Sequence, residues 1–501
     1  MQNAPIEHGI LEIQYDRTAN AGFTFLTESE YFGVLQLHVK KCRVTENPLF
    51  FVFTVDKSGS MNSEDHENSK KTTKMEYVKE TFMQLIRYFV DKPDSRIIIA
   101  VNTFNNDVEC IIEPTELNKS TMDAVIGKIN HITPEDSTDI GKALIYSNRM
   151  IRDYQDENPE HQVIHIFMSD GDPTVGVRST TELVNIAKNT SCPNIFIGFG
   201  KQHNSRLLRK LSDATRGDYQ VVDNFEHTTA IFGQVIHPFL YPVLRTPRLR
   251  IRDGVVYDWR RGKWVTEIRE RMYSAEENKI YQIKTENPQK VQVFLYDGDS
   301  DSDSEAELFE TIALPELINE FGCRDNESLD CLDLRPYMFR QETQQLLHRV
   351  VSYVPKNGKM AVFDDGIKEL RRELRNLFRN IRDYMKTEDR MTDIFLITLC
   401  DDISISYNTI YTQDGAMYSS ARQTSQGRQQ TVSVTPTRMP MNHYTDSDSD
   451  SDSDEDNEKR GRNRLSLYLP SGEDSTCFST PTLMKTLRSL SGTNEPDSME
   501  L

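Results

Sequence analysis

Residues 51–62, FVFTVDKSGSMN, run β-favouring side chains straight into an aspartate, two serines on alternate positions and a glycine between them. A buried strand that ends in hydroxyls admits three chemistries: a nucleophilic serine, a phosphate-cradling loop, or a cation site. The rest of the chain decides among them.

From residue 49 to 240, strand-like apolar runs alternate with helical periodicity. The runs cover 49–55, 96–104, 108–113, 163–169, 194–200 and 218–222. Between the first two, Met75, Val78, Phe82, Leu85, Ile86 and Phe89 recur at three- and four-residue intervals, which is one buried helix face. Further helices are expected at about 119–130, 139–153, 179–190, 203–213 and 225–240. Such alternation predicts an α/β fold, a doubly wound, mostly parallel sheet with helices on both faces. The runs 96–104 and 108–113, joined by Asn105, Asn106 and Asp107, read as a hairpin that adds one antiparallel edge strand.

In open parallel sheets, ligands bind beyond the carboxyl ends of the strands. Asp56, Ser58 and Ser60 follow the first strand, Thr138 and Asp139 open a helix, and Asp170, Gly171 and Asp172 follow the strand VIHIFMS. Three loops thus bring oxygens to one edge. Hard divalent cations take oxygen ligands, and the alternation in DxSxS lets one loop turn an Asp and two Ser side chains inward. Because Ser58, Ser60 and Thr138 are neutral, only Asp56 and Asp170 offset the charge of an ion, which leaves it electrophilic toward an external carboxylate. Asp139 reads as a helix cap or a support for Thr138, and Asp172 as a supporting residue. The other two chemistries fare worse. No G-x-S-x-G elbow is present, and in GDPTVGVRST (171–180) Val177 stands where a P-loop needs Lys.

At these residues the sequence resembles the von Willebrand factor type A domains with their metal-ion-dependent adhesion site (MIDAS). The pattern is DxSxS after a strand, a Thr on a second loop and an Asp after a later strand; here it is Asp56-Lys-Ser58-Gly-Ser60, Thr138 in STDIGKAL and Asp170 in MSDGDP, within residues 49–240. The resemblance implies a site for Mg²⁺ or Mn²⁺ whose shell is completed by a Glu or Asp of a protein partner. It implies direct ligation by Ser58, Ser60 and Thr138, with Asp56 and Asp170 often acting through water. The flanking layout is similar to intracellular, inter-α-inhibitor-like members, though the cysteines here form no RING-type zinc finger. The aspartate–serine repeats are similar in style to those of giant-DNA-virus proteins.

Outside that region the periods change. Short alternating strands in 9–47 and 243–296 flank the α/β segment and are expected to pair into one β-sandwich. There Arg248, Arg250 and Arg252 alternate with Leu249 and Ile251 and read as the wet face of a strand. DGDSDSDSEAELFE (297–310) imitates an EF-hand loop but has Ser304 where Gly is needed, so it reads as an acidic loop. Helical period returns with the stripe Ile367, Leu370, Leu374, Leu377, Ile381 and Met385, and past about 413 no period survives. The expected organisation is sandwich strands in 1–48, the α/β domain in 49–240, remaining sandwich strands in 241–297, an acidic loop in 298–332, a helical domain in 333–412 and a disordered Ser/Asp-rich tail in 413–501. That tail holds DSDSDSDSDED (446–456), whose serines suit an acid-directed kinase, followed by KRGRNR.

Composition narrows the function. Over 501 residues, 78 acidic against 59 basic side chains give a formal net charge of −19, which argues against nucleic acid or an anionic membrane as partner. Seven scattered cysteines with no CxxC pair fit neither a disulfide framework nor a structural zinc site. With no leader-like N-terminus and no apolar run near the ~18 residues of a membrane span, the expectation is an intracellular, cytoplasmic protein, the nucleus and a virion staying open. The function expected is a metal-dependent protein–protein interaction module and not an enzyme. The alternatives are a scaffold component and, since the chain has no Walker motif, an accessory subunit of a separate ATPase of the chelatase type.

Overall fold

A computed structural model describes residues 23–27, 30–38, 48–64, 72–91, 96–200, 203–215, 217–222, 228–270, 272–274, 277–287, 290–297, 307–313, 334–353, 364–412, 415–429 and 481–491. The chain divides into two compact units, one of residues 1–45, 236–348 and 478–483, the other of 46–235, 349–477 and 484–501. Two strands, β1 (Phe23–Thr27) and β2 (Glu30–His38), precede the α/β unit and belong to the first.

In the α/β unit, strands β3 (Leu49–Asp56), β4 (Ile97–Phe104), β5 (Val108–Glu116), β6 (Gln162–Ser169), β7 (Asn194–Phe199) and β8 (Asp218–Val222) lie in the order β5-β4-β3-β6-β7-β8. All pairings are parallel except β4 with β5, the expected hairpin. The helices are α1 (Lys74–Val90), α2 (Met122–Asn130), α3 (Ile140–Glu157), α4 (Thr180–Ala187), α5 (Ser205–Ala214) and α6 (Thr228–Leu240), the last crossing into the other unit.

Every residue of β3 is buried, and its side chains alternate between the sheet's two faces. Phe51 and Phe53 meet Phe89 and Phe82 of α1 at ring-centroid distances of 5.3 and 4.8 Å. Phe50 and Val52 join Ile151 of α3, with Tyr154 packed against them. Burying one such aromatic side chain stabilises the fold by about 1.5–3 kcal/mol, so this strand anchors both layers. Thr54 continues the α3 face but is polar, and it is satisfied there. It lies 2.8 Å from Ser147 Oγ and 2.8 Å from His165 Nε2, while His165 Nδ1 lies 2.9 Å from Asn194 Oδ1. Asn194 offers an acceptor, so Nδ1 carries the imidazole proton, and burial holds the histidine neutral, down to about 4. Because strand order reverses at β3, the carboxyl ends of β3 and β6 flank the sheet's switch point.

The α/β unit continues into α8 (Asp365–Thr387), α9 (Ile394–Thr409) and α10 (Gly415–Arg428). The stripe from Ile367 to Met385 is buried as its spacing predicts. Ile405 of α9 and Met417, Tyr418 and Ala421 of α10 join Leu207, Leu208, Leu211, Tyr219 and Val221 in one core, extending it past β8. Here the boundary of the tail moves. Residues 415–428, read as disordered because they are polar and lack a period, form a buried helix that adds polar contacts to those of its three core side chains. Arg422 and Gln426 reach the two oxygens of buried Asp402 at 3.0 and 2.7 Å, Arg209 donates to Ser420 at 3.2 Å, and Arg428 donates to the Gly217 carbonyl at 3.1 Å. A second tail segment forms α11 (Pro481–Ser491). There Thr486 meets Tyr88 of α1 at 3.3 Å, and Leu487 and Leu490 come so close to Gly233 of α6 that a Cβ on it would lie 2.7 and 2.9 Å from them. The serine–aspartate run and KRGRNR lie outside the described residues.

The other unit is built of β9 (Pro242–Leu244), β10 (Pro247–Arg252), β11 (Val255–Asp258), β12 (Lys263–Val265), β13 (Glu267–Arg269), β14 (Tyr273–Ser274), β15 (Asn278–Thr285), β16 (Gln292–Asp297) and β17 (Glu307–Ala313), with α7 starting at Arg335 and ending at Ser352. Its larger sheets run β1-β2-β15-β11-β12 and β13-β10-β16-β17, and β14 pairs with β9. Leu35, Leu37, Tyr281 and Ile283 of the first share a core with Leu249, Ile251, Val293 and Leu295 of the second, so strands from before and after the α/β segment form one sandwich. Phe32 and Val34 point the other way, onto Leu334, Tyr337 and Met338 at the start of α7. Three expectations change here. Residues 307–313, placed in the acidic loop, form an edge strand. The helical segment is no domain of its own, since α7 starts in the sandwich unit and α8 and α9 lie in the α/β unit. The arginine face of β10 is wet only toward its end: Arg248 is 1% exposed with its guanidinium 4.9 Å from the Tyr296 ring, Arg250 is half-buried, and Arg252 is exposed with its guanidinium 5.0 Å from the Phe294 ring. The cross-strand Tyr296 ring covers the buried cation of Arg248.

Candidate metal centre

The site is built where β3 and β6 run out. Asp56 is the last residue of β3 and fully buried. Its Oδ1 accepts from the Ser58 backbone amide at 2.8 Å and its Oδ2 from Ser169 Oγ at 2.7 Å. The chain then enters a short 3₁₀ turn, Gly59–Asn62, which places the serines side by side with Ser58 Oγ 3.1 Å from Ser60 Oγ. Ser60 Oγ donates to Asp170 Oδ1 at 2.7 Å, and Asp170 Oδ2 accepts from the Lys74 ammonium at 2.5 Å. Asp56, Ser58, Ser60 and Asp170, from two loops, are thereby gathered into one polar cluster, buried at Asp56, Ser58 and Asp170 and open to solvent at Ser60. Burial, reinforced by the charge of Asp170 and opposed by the hydrogen bonds from Ser58 and Ser169, pushes the Asp56 carboxyl up to about 6.

Thr138 comes from a third loop, which is stitched to the other two through the backbone. The Glu135 amide donates to Lys57 O at 2.7 Å and the Gly59 amide to Asp136 O at 3.1 Å, while the amides of Thr174 and Val175 donate to Thr138 O at 2.9 and 3.2 Å. The Thr138 amide is held by Thr174 Oγ1 at 2.8 Å. Thr138 itself is buried, 3% exposed. Asp139 takes the capping role: its carboxylate accepts from the Lys142 amide at 2.9 Å at the start of α3. Gly176, at φ +67, passes that carboxylate so closely that a Cβ would lie 2.2 Å from it. Asp172 accepts from Asn204, the cap of α5.

Three residues of the site were not foreseen from sequence. Ser169 holds Asp56, Lys74 pairs with Asp170, and His203 packs beneath, its ring against Gly198, its Nδ1 2.5 Å from Gly200 O and its Nε2 on Tyr219. Burial lowers His203 to about 4, so it is a neutral prop. Ser169 had a signal, since it shares the side of β6 opposite Asp56; Lys74 and His203 meet the site only through the fold.

Two carboxylates and three hydroxyls are hard oxygen donors, suited to Mg²⁺ or Mn²⁺ and unsuited to soft metals. Among the described residues no three His, Cys, Asp or Glu side chains cluster, so a metal here depends on the hydroxyls. The fit is supported by the two buried carboxylates of Asp56 and Asp170, the second of which already draws a cation in Lys74.

The family model for the von Willebrand factor type A domain matches residues 51–234. No curated protein matches the chain. Among solved structures, von Willebrand factor type A from Catenulispora acidiphila is 15% identical with a TM-score of 0.50, over 78% of this chain and 88% of that one. The ArnB paralog VWA2 from Sulfolobus acidocaldarius is 16% identical with a TM-score of 0.46, over 82% and 96%. Proximal thread matrix protein 1 from the mussel byssus, whose MIDAS motif holds zinc, is 18% identical with a TM-score of 0.31, over 42% and 50%. At 15% identity the likeness to the first of these is one of fold alone. Among the described residues no helix is long and apolar enough to cross a membrane. Residues 51–234 thus match the von Willebrand factor type A domain, within a chain that adds flanking β and helical regions to it.

Proposed function

We propose that the chain is a non-enzymatic, intracellular protein-interaction module in which Asp56, Ser58, Ser60, Thr138 and Asp170 hold a Mg²⁺ or Mn²⁺ ion that captures an Asp or Glu of a protein partner. The observation that carries the reading is the gathering of Asp56, Ser58, Ser60 and Asp170 at the switch point, with the loop of Thr138 tied to theirs through backbone hydrogen bonds. When bound, the ion supplies an electrophilic centre for a carboxylate, because three of its five donors are neutral. The protein's part is to fix those donors before the partner arrives. Ser169 and the Ser58 amide orient Asp56, and the backbone bonds of the 135–139 loop hold Thr138 beside them. The reading agrees with the use of this domain family as adhesion and interaction modules that often bind divalent cations.

Mg²⁺ added to the full chain should raise its melting temperature, by RT ln(1 + [L]/Kd) in free energy, and the double variant Asp56→Ala/Asp170→Ala should stay folded and lose that response. An undiminished response in the double variant defeats the reading. Capture of partners in Mg²⁺ and their release by EDTA would separate it from a scaffold role, which survives chelation.

A further inference from the structure

Asp170 already has a cation of the chain's own. The Lys74 ammonium sits 2.5 Å from Oδ2, with the two side chains 13% and 0% exposed, while Ser60 occupies Oδ1. Lys74 is the first residue of α1, and a positive charge at the positive end of a helix dipole is a poor choice unless something else holds it. Two features hold it. A reciprocal capping box fixes the start of the helix, with Thr73 Oγ1 accepting from the Glu76 amide and Glu76 Oε2 from the Thr73 amide. Gly200, at φ +75, leaves room for the lysine stem: a Cβ there would stand 3.2 Å from Lys74 Cε and 3.4 Å from Nζ.

We infer that Lys74 is a tethered cation that competes with the divalent ion for Asp170, lowers the site's metal affinity, and leaves the loaded site with a surplus positive charge that selects an anionic partner group. The inference rests on the metal-centre reading above. Two ionised carboxylates and one ammonium sum to a single negative charge, so a divalent ion brings the site to a net charge of about +1 with the lysine and about zero without it. Repulsion between ammonium and metal opposes loading, and the same charge attracts a carboxylate once the ion is in place.

The test is Mn²⁺ binding by isothermal titration calorimetry at neutral pH to the full-length wild type, Lys74→Met and Lys74→Arg, each checked for native circular dichroism. Removing the charge should tighten Mn²⁺ by roughly tenfold, the scale of one nearby like charge at moderate dielectric, whereas Lys74→Arg should bind as the wild type does. The arginine variant separates charge from packing. Equal or weaker Mn²⁺ binding by Lys74→Met, with wild type binding, overturns the tethered-cation inference alone. Absence of Mn²⁺ binding in all three overturns the metal-centre reading and this inference with it.

Discussion

Acidification should strip the metal from Asp56 in a defined window. Burial and the neighbouring Asp170 raise that carboxyl from an ordinary 3.8 to about 6, and a metal takes the ionised form. Below pH 6 each ion bound must therefore expel a proton, and affinity falls up to tenfold per pH unit. Near pH 7.5 the group is almost wholly ionised, and near pH 5 only about one molecule in ten is. The dissociation constant for Mn²⁺ should accordingly rise roughly tenfold between those two conditions, about 1.4 kcal/mol. Calorimetry in two buffers of different ionisation enthalpy should also report about half a proton released per ion at pH 6. The effect on folding has the opposite sign. The folded chain holds this proton more tightly than the unfolded one, so Asp56 adds stability as pH falls from about 6 toward 3.8, by about 3 kcal/mol. Lost binding thus cannot come from unfolding driven by this residue. A dissociation constant that stays flat across the window, in protein that circular dichroism shows to be folded, refutes the assignment of Asp56 as a buried carboxylate whose proton the metal displaces.

Other consequences are structural. His165, held at about 4 against an ordinary 6.5, contributes stability above pH 6.5 that is lost as pH falls toward 4, up to about 3 kcal/mol; urea titrations across that range should show a correspondingly flatter pH slope for His165→Gln. Gly176→Ala places a Cβ against the Asp139 carboxylate in a left-handed backbone conformation, and a loss of about 1–3 kcal/mol is expected from thermal denaturation. Ending the chain after residue 412 takes Arg422 and Gln426 from buried Asp402 and Met417 and Tyr418 from the core, so chemical denaturation should show a loss of at least roughly 3–5 kcal/mol. Unchanged stability would mean that α10 is an appendage.

The central domain was legible because its signals are local. Strand runs end in the DxSGS and MSDGDP loops, helical spacing carries Met75 to Phe89, and the hairpin turn lies between its own strands. Where sequence reading failed, the partners are distant. The polar helix 415–428 looks unfoldable until Asp402 and Arg209 are placed beside it, and Arg248 looks solvated until Tyr296 of the paired strand covers it. Lys74 left a faint trace, as a cation at the start of a helix whose capping box, TKME, is readable in the sequence.

By itself the sequence determined the alternation of strands and helices and the order in which oxygen-bearing loops follow them, because a segment's periodicity is set by its own backbone geometry. Only the tertiary structure decided which charges meet. Lys74 and Asp170 stand 96 residues apart and touch because the start of α1 and the end of β6 come together at the same edge of the sheet, a consequence of strand order that neither segment encodes alone. Burial there removes the water that would otherwise screen the carboxylates, and in its absence Asp170 pairs with the ammonium of Lys74 while Asp56 is held by hydrogen bonds from Ser58 and Ser169.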